Sequence, residues 1–343
     1  IVVLNTRWLL LFGVWMLYGS FGLVASSLAP VASLVIEDLQ MTHAEMGLAM
    51  GAWQLVYIFS AVPAGMLLDR VGARYALALG GILVGISALA RMFVGDTAGL
   101  IMAVMIFGLG GPIISAGAPK VVVSSFTGAT RGLAMGIYMT GPAIGSIISL
   151  TMTHSILLPA FDQSWRAVLG LWAGVTFLAA FLWFFLASVA GSSISEAPKG
   201  PRVSQLRVIR ELIRRPTVIV ILLMSISVFM FNHGLNNWLP ELLQSHGFSA
   251  VNAGYWAALP TVIGIMGSLI IPRLATPERR FKILIGLSIA AFIASILLRF
   301  GEPSSLLTGL LLQGVARSSL MTVLILSLVE LPEIGQRYAG VAS

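Results

Sequence analysis

The chain contains no cysteine and little charge. Its 343 residues include no Cys, which excludes disulfides and cysteine-ligated metal sites. Charged residues make up 10% of the chain, against about 25% in an ordinary soluble domain. Hydrophobic residues reach 58%, and the mean hydropathy is +0.97. This composition predicts a membrane protein whose main surroundings are a lipid bilayer.

Features of enzymes and nucleic-acid-binding proteins are missing as well. No nucleophile–base set, metal-ligand spacing or phosphate-binding loop stands out. The 15 Met residues show no repeated spacing and are common fillers of apolar cores. The net charge of +7 comes from short connections between apolar runs, and no basic run is interleaved with aromatics. We therefore predict no enzymatic activity, cofactor, metal site or nucleic-acid partner.

Ten apolar runs are long enough to cross a bilayer, which takes about 20 residues. The runs are 8–36, 44–68, 75–94, 98–126, 132–158, 165–190, 216–242, 250–273, 281–300 and 304–331. An eleventh helix is expected from Tyr338. The first run is too long for a signal peptide and lacks a small-residue cleavage site, so we interpret it as a helix.

The second half of the chain repeats the first. Met41–Gly47 matches Phe248–Gly254 at an offset of 207, and Ser87–Arg91 matches Ser295–Arg299 at an offset of 208. Two homologous bundles of apolar helices are typical of a secondary transporter, with a site between the halves. We predict an all-α membrane fold of two pseudo-symmetric six-helix bundles. The sequence covers ten or eleven of the twelve expected helices. The last helices are expected beyond Ser343.

Positive charge predicts the domain boundaries and the orientation. Alternate connections carry 15 Lys and Arg residues on one side of the membrane and 3 on the other. Because cytoplasmic loops are enriched in Lys and Arg, the N-terminus and the central loop are predicted to be cytoplasmic. The predicted N-terminal bundle is 1–190, the linker is 191–215 with a short surface helix at Val203–Leu212, and the C-terminal bundle is 216–343. We expect a multi-pass monomer in the cell inner membrane.

One loop carries a family signature. The segment Gly65–Arg74 reads G-M-L-L-D-R-V-G-A-R and joins the second and third runs. It closely resembles the G-x-L-x-D-R-x-G-R-R loop of the major facilitator superfamily, with Ala73 replacing the first Arg of the final pair. The resemblance implies a loop that latches the outward-open state. Asp69 is expected to pair with an Arg or to cap a neighbouring helix.

A second segment agrees with this resemblance. Residues 141–146 read G-P-A-I-G-S and resemble the helix-five G-P-x-x-G-G motif of the antiporter branches, with Ser146 replacing the last Gly. Small residues there allow close helix contact, as a rocking interface requires. The helix-four motif with an embedded Arg is absent at 106–111, which weakens the case for a proton-driven drug exporter. The nearest resemblance is to the cyanate, nitrate/nitrite and oxalate/formate porters. The predicted gating residues are Gly65, Asp69, Arg70, Gly72, Arg74, Arg131, Gly141, Pro142 and Gly145.

Ionisable and polar groups inside the spans are the candidate binding residues, because such groups are costly in a bilayer. Arg317 lies mid-span without an acid within two turns, and Gln313 shares its face. An Arg facing a wet cavity binds a carboxylate or planar oxyanion bidentately, whereas the alternative is an Arg satisfied by helix-end carbonyls or by an unseen acid. The remaining predicted substrate-binding residues are Asn232, His233, Asn236, Tyr18, Tyr57, Tyr138 and Lys120.

Several of these residues keep a second interpretation. Lys120 could guard an inner vestibule or merely anchor its helix at the interface. The polar residues of the seventh run, 216–242, could line a cavity or cap a helix end near Pro240. Arg91 and Arg299, at equivalent positions of the repeat, are interpreted as interface anchors near the outer surface.

No Asp or Glu lies in the middle of any predicted span. Proton symporters commonly use such a carboxylate as a relay, so its absence beside Arg317 favours facilitated or exchange transport of a small anion. The anion would be an organic carboxylate or an inorganic oxyanion, moved by alternating access. The alternatives are proton-antiport export of a drug-like amphipathic compound and a non-transporting assembly or sensor subunit.

Overall fold

The computed structural model describes residues 2–189 and 214–329. Regular structure in these two ranges is helical throughout, without a strand. Eight helical spans there are long and apolar enough to cross a membrane. The all-α membrane architecture predicted from the sequence is therefore confirmed. The helices expected at Val203–Leu212 and from Tyr338 lie outside the described residues.

The helices are numbered here in chain order. The first group is α1 (Val2–Ala25), α2 (Ala32–Asp38), α3 (His43–Met92), α4 (Thr97–Ser125), α5 (Gly128–Met152), α6 (Leu158–Ala160) and α7 (Trp165–Val189). A 3₁₀ turn at Ala29–Val31 precedes α2, and a π-helical turn at Thr153–Leu157 joins α5 to α6. The second group is α8 (Pro216–Ser245), α9 (Ala250–Leu274), α10 (Arg280–Leu297) and α11 (Pro303–Val329).

Side-chain caps fix the beginnings of α3 and α4. The Thr42 hydroxyl accepts a hydrogen bond from the Glu45 backbone N–H at 3.2 Å, and the Thr42 N–H donates to the Glu45 carboxylate at 2.8 Å. This reciprocal pair is a capping box, which satisfies two backbone donors that the first helical turn leaves open. Asp96 caps α4 with its side chain, which accepts a hydrogen bond from the Gly99 N–H at 2.7 Å. These caps place both helix starts within a few residues of the predicted span starts.

Helix α3 contains two of the predicted spans. Its 50 residues would extend about 75 Å, more than twice the hydrocarbon thickness of a bilayer. Gly72 divides it, with φ of 79° and ψ of 163°. That backbone conformation is open to glycine at little cost because glycine lacks a Cβ. The predicted runs 44–68 and 75–94 are therefore separate helical segments joined through one non-helical residue.

The described helices form two compact units. The first contains α1 to α7 and the first five residues of α9, Ala250–Gly254, whereas the second contains α8, the rest of α9, α10 and α11. A core of apolar side chains from α8, α10 and α11 fills the second unit, including Val218, Leu284, Leu287 and Leu320. The predicted linker at 191–215 lies almost wholly outside the described residues, so its boundaries stay a prediction.

Helices α1 and α5 of the first unit touch through their backbones. A Cβ added at Gly145 would lie 2.0 Å from the Gly19 carbonyl oxygen. Any larger residue at position 145 would therefore push the two helices apart. The close approach predicted for the Gly141–Ser146 segment is present, while its role in gating stays a prediction.

Arg91 corrects one prediction from the sequence. Its side chain is only 2% exposed and is enclosed by the first unit. One terminal nitrogen donates to the Val24 carbonyl and the Ser27 hydroxyl, and the other to the Ser87 hydroxyl, all at 3.1 Å. Arg91 is thus a buried cap for the end of α1 and not an interface anchor. Its repeat counterpart Arg299 is exposed.

Candidate functional site

Arg317 lies close to the middle of α11, inside the second unit. Its guanidinium Nη1 donates to the Thr261 hydroxyl on α9 at 3.2 Å. The side chain is half-buried, and no acidic residue in the described part of the chain forms an ion pair with it. The remaining guanidinium donors keep their capacity to bind an anion, which a planar carboxylate fits bidentately.

Asn232 on α8 approaches the same turn of α11. Its side-chain Nδ2 donates to the backbone carbonyl of Arg317 at 3.0 Å. Its Oδ1 is buried and has no hydrogen-bond partner in the described part of the chain. The amide group therefore ties α8 to α11 with one atom and leaves an acceptor open with the other.

Gln313 lies one helical turn before Arg317. Its side chain is 0% exposed, and neither Nε2 nor Oε1 has a partner among the described residues. Leaving a buried donor or acceptor unpaired costs about 1–3 kcal/mol for each group. An amide kept in this state is unexpected in a helix that exists only to pack. We name Asn232, Thr261, Gln313 and Arg317 the polar cluster.

Two more predicted residues, His233 and Asn236, lie on α8 within about one turn of Asn232. The His233 ring contacts the Phe229 ring, with centroids 4.2 Å apart. Asn236 is half-buried. Thr261 was missed by the sequence analysis. A hydroxyl directly after Pro260 in an apolar run was the available signal.

The three predicted tyrosines belong to the first unit. Tyr18 and Tyr138 stack with centroids 5.9 Å apart and an interplanar angle of 17°. The Tyr57 hydroxyl shares a hydrogen bond with the Ser115 hydroxyl at 2.5 Å, and the Tyr57 ring packs edge-on against Trp53 at 5.8 Å. Phe21 and Phe107 extend the same aromatic group. The structure thus gathers the predicted tyrosines into an aromatic cluster of six rings: Tyr18, Phe21, Trp53, Tyr57, Phe107 and Tyr138.

The loop signature forms its own set of contacts in the first unit. Asp69 forms an ion pair with Lys120 of α4 at 2.6 Å. The Arg74 guanidinium lies over the Phe184 ring at 4.4 Å, and the Arg131 side chain donates to the Phe126 carbonyl at 2.8 Å. The expected partner of Asp69 was an Arg or a helix terminus, whereas the observed one is a lysine. Lys120 is ion-paired with the loop signature, and its predicted role in substrate binding stays a prediction.

A family model described as Major Facilitator Superfamily matches residues 10–343. The chain belongs to this superfamily. It is therefore a multi-pass membrane protein of a transporter family and not an enzyme, as the sequence predicted.

Curated relatives of this major facilitator protein include carriers named for quite different compounds. The chain is 23% identical over 271 residues to a D-galactonate transporter of Escherichia coli O6:H1, covering 71% of this chain and 61% of the relative. It is 25% identical over 258 residues to a hexuronate transporter of Bacillus subtilis, covering 71% and 58%. It is 24% identical over 259 residues to a quinolone resistance transporter of Acinetobacter baumannii, covering 69% and 59%. The chain thus spans about three-fifths of the length of these relatives.

Solved structures agree on the fold. The nucleoside transporter NupG superposes with a TM-score of 0.82 at 14% identity, covering 97% of this chain and 85% of that one. At this identity the likeness supports the fold alone. The substrate has to be argued from the residues of this chain.

Proposed function

We propose that this major facilitator protein moves a small organic anion across the cell membrane by alternating access, and that Arg317 binds the carboxylate. The observation that carries the proposal is a half-buried guanidinium in the middle of α11 that makes one hydrogen bond to Thr261. A charged group at this depth is costly unless it is paired or functional. An arriving carboxylate supplies the missing negative charge.

The surroundings of Arg317 suit an anion better than a cation. No acidic side chain in the described ranges forms an ion pair with Arg317. The open Gln313 Nε2 can donate a hydrogen bond to a bound anion without adding repulsion. The names of the D-galactonate and hexuronate relatives support organic carboxylates over inorganic oxyanions.

The proposed orientation follows the charge bias of the connections. Fifteen basic residues on one side against three on the other favour a cytoplasmic N-terminus and central loop. The cell inner membrane and a monomeric state belong to the same proposal.

Export of a drug-like amphipathic compound is the second candidate. The aromatic cluster of the first unit favours it, because stacked rings supply an apolar surface with hydroxyl groups at its edge. The name of the quinolone resistance relative points the same way. A mainly aromatic binding site would need no contribution from Arg317, so one residue separates the two candidates.

The test is uptake by the full-length protein in liposomes. We expect D-galactonate uptake by the wild type, none by Arg317→Ala, and at least a tenfold loss in Arg317→Lys, because an ammonium lacks the planar fork of guanidinium. Arg299→Ala is the matched control, since Arg299 is exposed and outside the polar cluster.

Three results would contradict the proposal. Wild-type uptake in a well-folded Arg317→Ala protein would remove the carboxylate role. Transport of a lipophilic dye but of no carboxylate would favour the exporter. A flat response to every solute would favour a non-transporting subunit.

A further inference from the structure

Two amide side chains of the polar cluster keep hydrogen-bonding atoms open in the interior of the second unit. Gln313 contributes a donor and an acceptor, and Asn232 contributes an acceptor. Gln313 is fully enclosed, and the Asn232 amide is held against α11 by its bond to the Arg317 carbonyl. One open amide therefore lies on α11 one turn before the guanidinium, and the other is attached from α8 to the backbone of Arg317.

This donor and acceptor set has a definite chemical complement. A hydroxyl group both donates and accepts, so it can satisfy an amide oxygen and an amide N–H at once. A purely apolar chain would leave all three amide atoms buried and unpaired. A second carboxylate would meet the acceptor oxygens of both amides unfavourably, since an ionised carboxylate only accepts.

We infer that Gln313 and Asn232 form a hydroxyl-recognition subsite beside Arg317, which selects hydroxylated monocarboxylates over unsubstituted ones. This inference rests on the proposed function, because Arg317 has to hold the carboxylate for the amides to reach the neighbouring hydroxyls. Sites built to hydrogen-bond a hydroxyl discriminate strongly against analogues that lack it, since their own polar groups then stay unpaired.

The test compares two ligands of equal carbon-chain length, D-galactonate and hexanoate, which share a carboxylate and differ in hydroxyl groups. Dissociation constants are measured by calorimetry on the full-length protein in lipid nanodiscs. We expect Gln313→Met to weaken D-galactonate binding about tenfold and to leave hexanoate binding within about twofold. Asn232→Leu has the same expected direction. Gln244→Met is the matched control, because the Gln244 amide bonds within its own helix to the Pro240 carbonyl.

Thermal unfolding of the ligand-free variants supplies a second readout. Replacing an unpaired buried amide by methionine of similar shape removes a desolvation cost, so the Tm of Gln313→Met should equal or exceed that of the wild type. A clear fall in Tm would mean that Gln313 is paired within the folded protein, and this would overturn the inference.

The binding outcomes separate the two proposals. An unchanged ratio of the two dissociation constants in Gln313→Met, with binding still dependent on Arg317, overturns the subsite and leaves the proposed function standing. Equal loss of both ligands in Gln313→Met also overturns the subsite. Failure of the wild type to bind either carboxylate overturns the proposed function and the subsite with it.

Discussion

Each unit contains an embedded arginine, and the two arginines differ in their hydrogen bonding. In the first unit, Arg91 is 2% exposed and its terminal nitrogens make three hydrogen bonds to α1, Ser27 and Ser87. In the second, Arg317 is half-buried and makes one hydrogen bond to the described residues, to Thr261. Neither has an acidic partner in the described ranges. Among the described residues, Arg91 thus has more of its donors paired than Arg317, and Arg317 is the one proposed to bind a ligand.

The largest expected effect on stability comes from Arg91. Arg91→Leu should destabilise the protein by about 3 kcal/mol, because the Val24 carbonyl and two buried hydroxyls lose their donor. Thermal unfolding in detergent measures the loss, with Arg299→Leu as the exposed counterpart that should change little. Equal Tm values for the two variants would contradict the contrast drawn between the repeats.

Helix contact provides the next test of the comparison. Gly145→Ala should cost about 2 kcal/mol, because the new Cβ meets the Gly19 carbonyl of α1. Gly286→Ala in α10 is the control from the second unit, where an added Cβ meets nothing within 4 Å. There the change should stabilise the helix by up to about 1 kcal/mol. Opposite shifts in Tm are expected, and a stable Gly145→Ala protein would show that α1 and α5 separate without cost.

The smallest stability effect is expected at the loop signature. Asp69→Asn removes the ion pair with Lys120. The Asp69 side chain is 70% exposed and the Lys120 side chain is 30% exposed. Exposed pairs contribute about 0–1 kcal/mol, so the Tm should hardly move. If the loop latches the outward-open state, as the family resemblance implies, the transport rate should fall because the latch loses a charge. If Asp69→Asn transports at the wild-type rate under gradients of either direction, the latch role is contradicted.

Local patterns were predictable from the sequence, and long-range partners were not. The pair Thr42 and Glu45 indicates a helix start, and the glycine at position 72 indicates a helix break. Both patterns depend on neighbouring residues alone. The partner of Asp69 is 51 residues away, and the Arg91 partners Val24 and Ser27 are more than 60 residues away. Which helices pack together decides such contacts, and periodicity carries no information about it.

The candidate site shows the same division. Their spacing of one turn places Arg317 and Gln313 on one face of α11, and their joint role in binding stays a prediction. The contacts from Thr261 and Asn232 arise from α9 and α8 packing on α11, so spacing could not supply them. The tyrosines were predicted one by one, but only packing reveals that Tyr18 and Tyr138 stack.

The break in α3 has a mechanical consequence. Residues on either side of Gly72 are helical, so the connection offers one pair of soft torsions and no slack chain. Any change in the angle between the two segments of α3 has to be absorbed by φ and ψ of that residue. A larger residue at position 72 would stiffen this joint and resist positive φ, whereas inserted flexible residues would uncouple the segments. Gly72 is thus the one position in α3 about which the two helical segments can change their angle without unwinding.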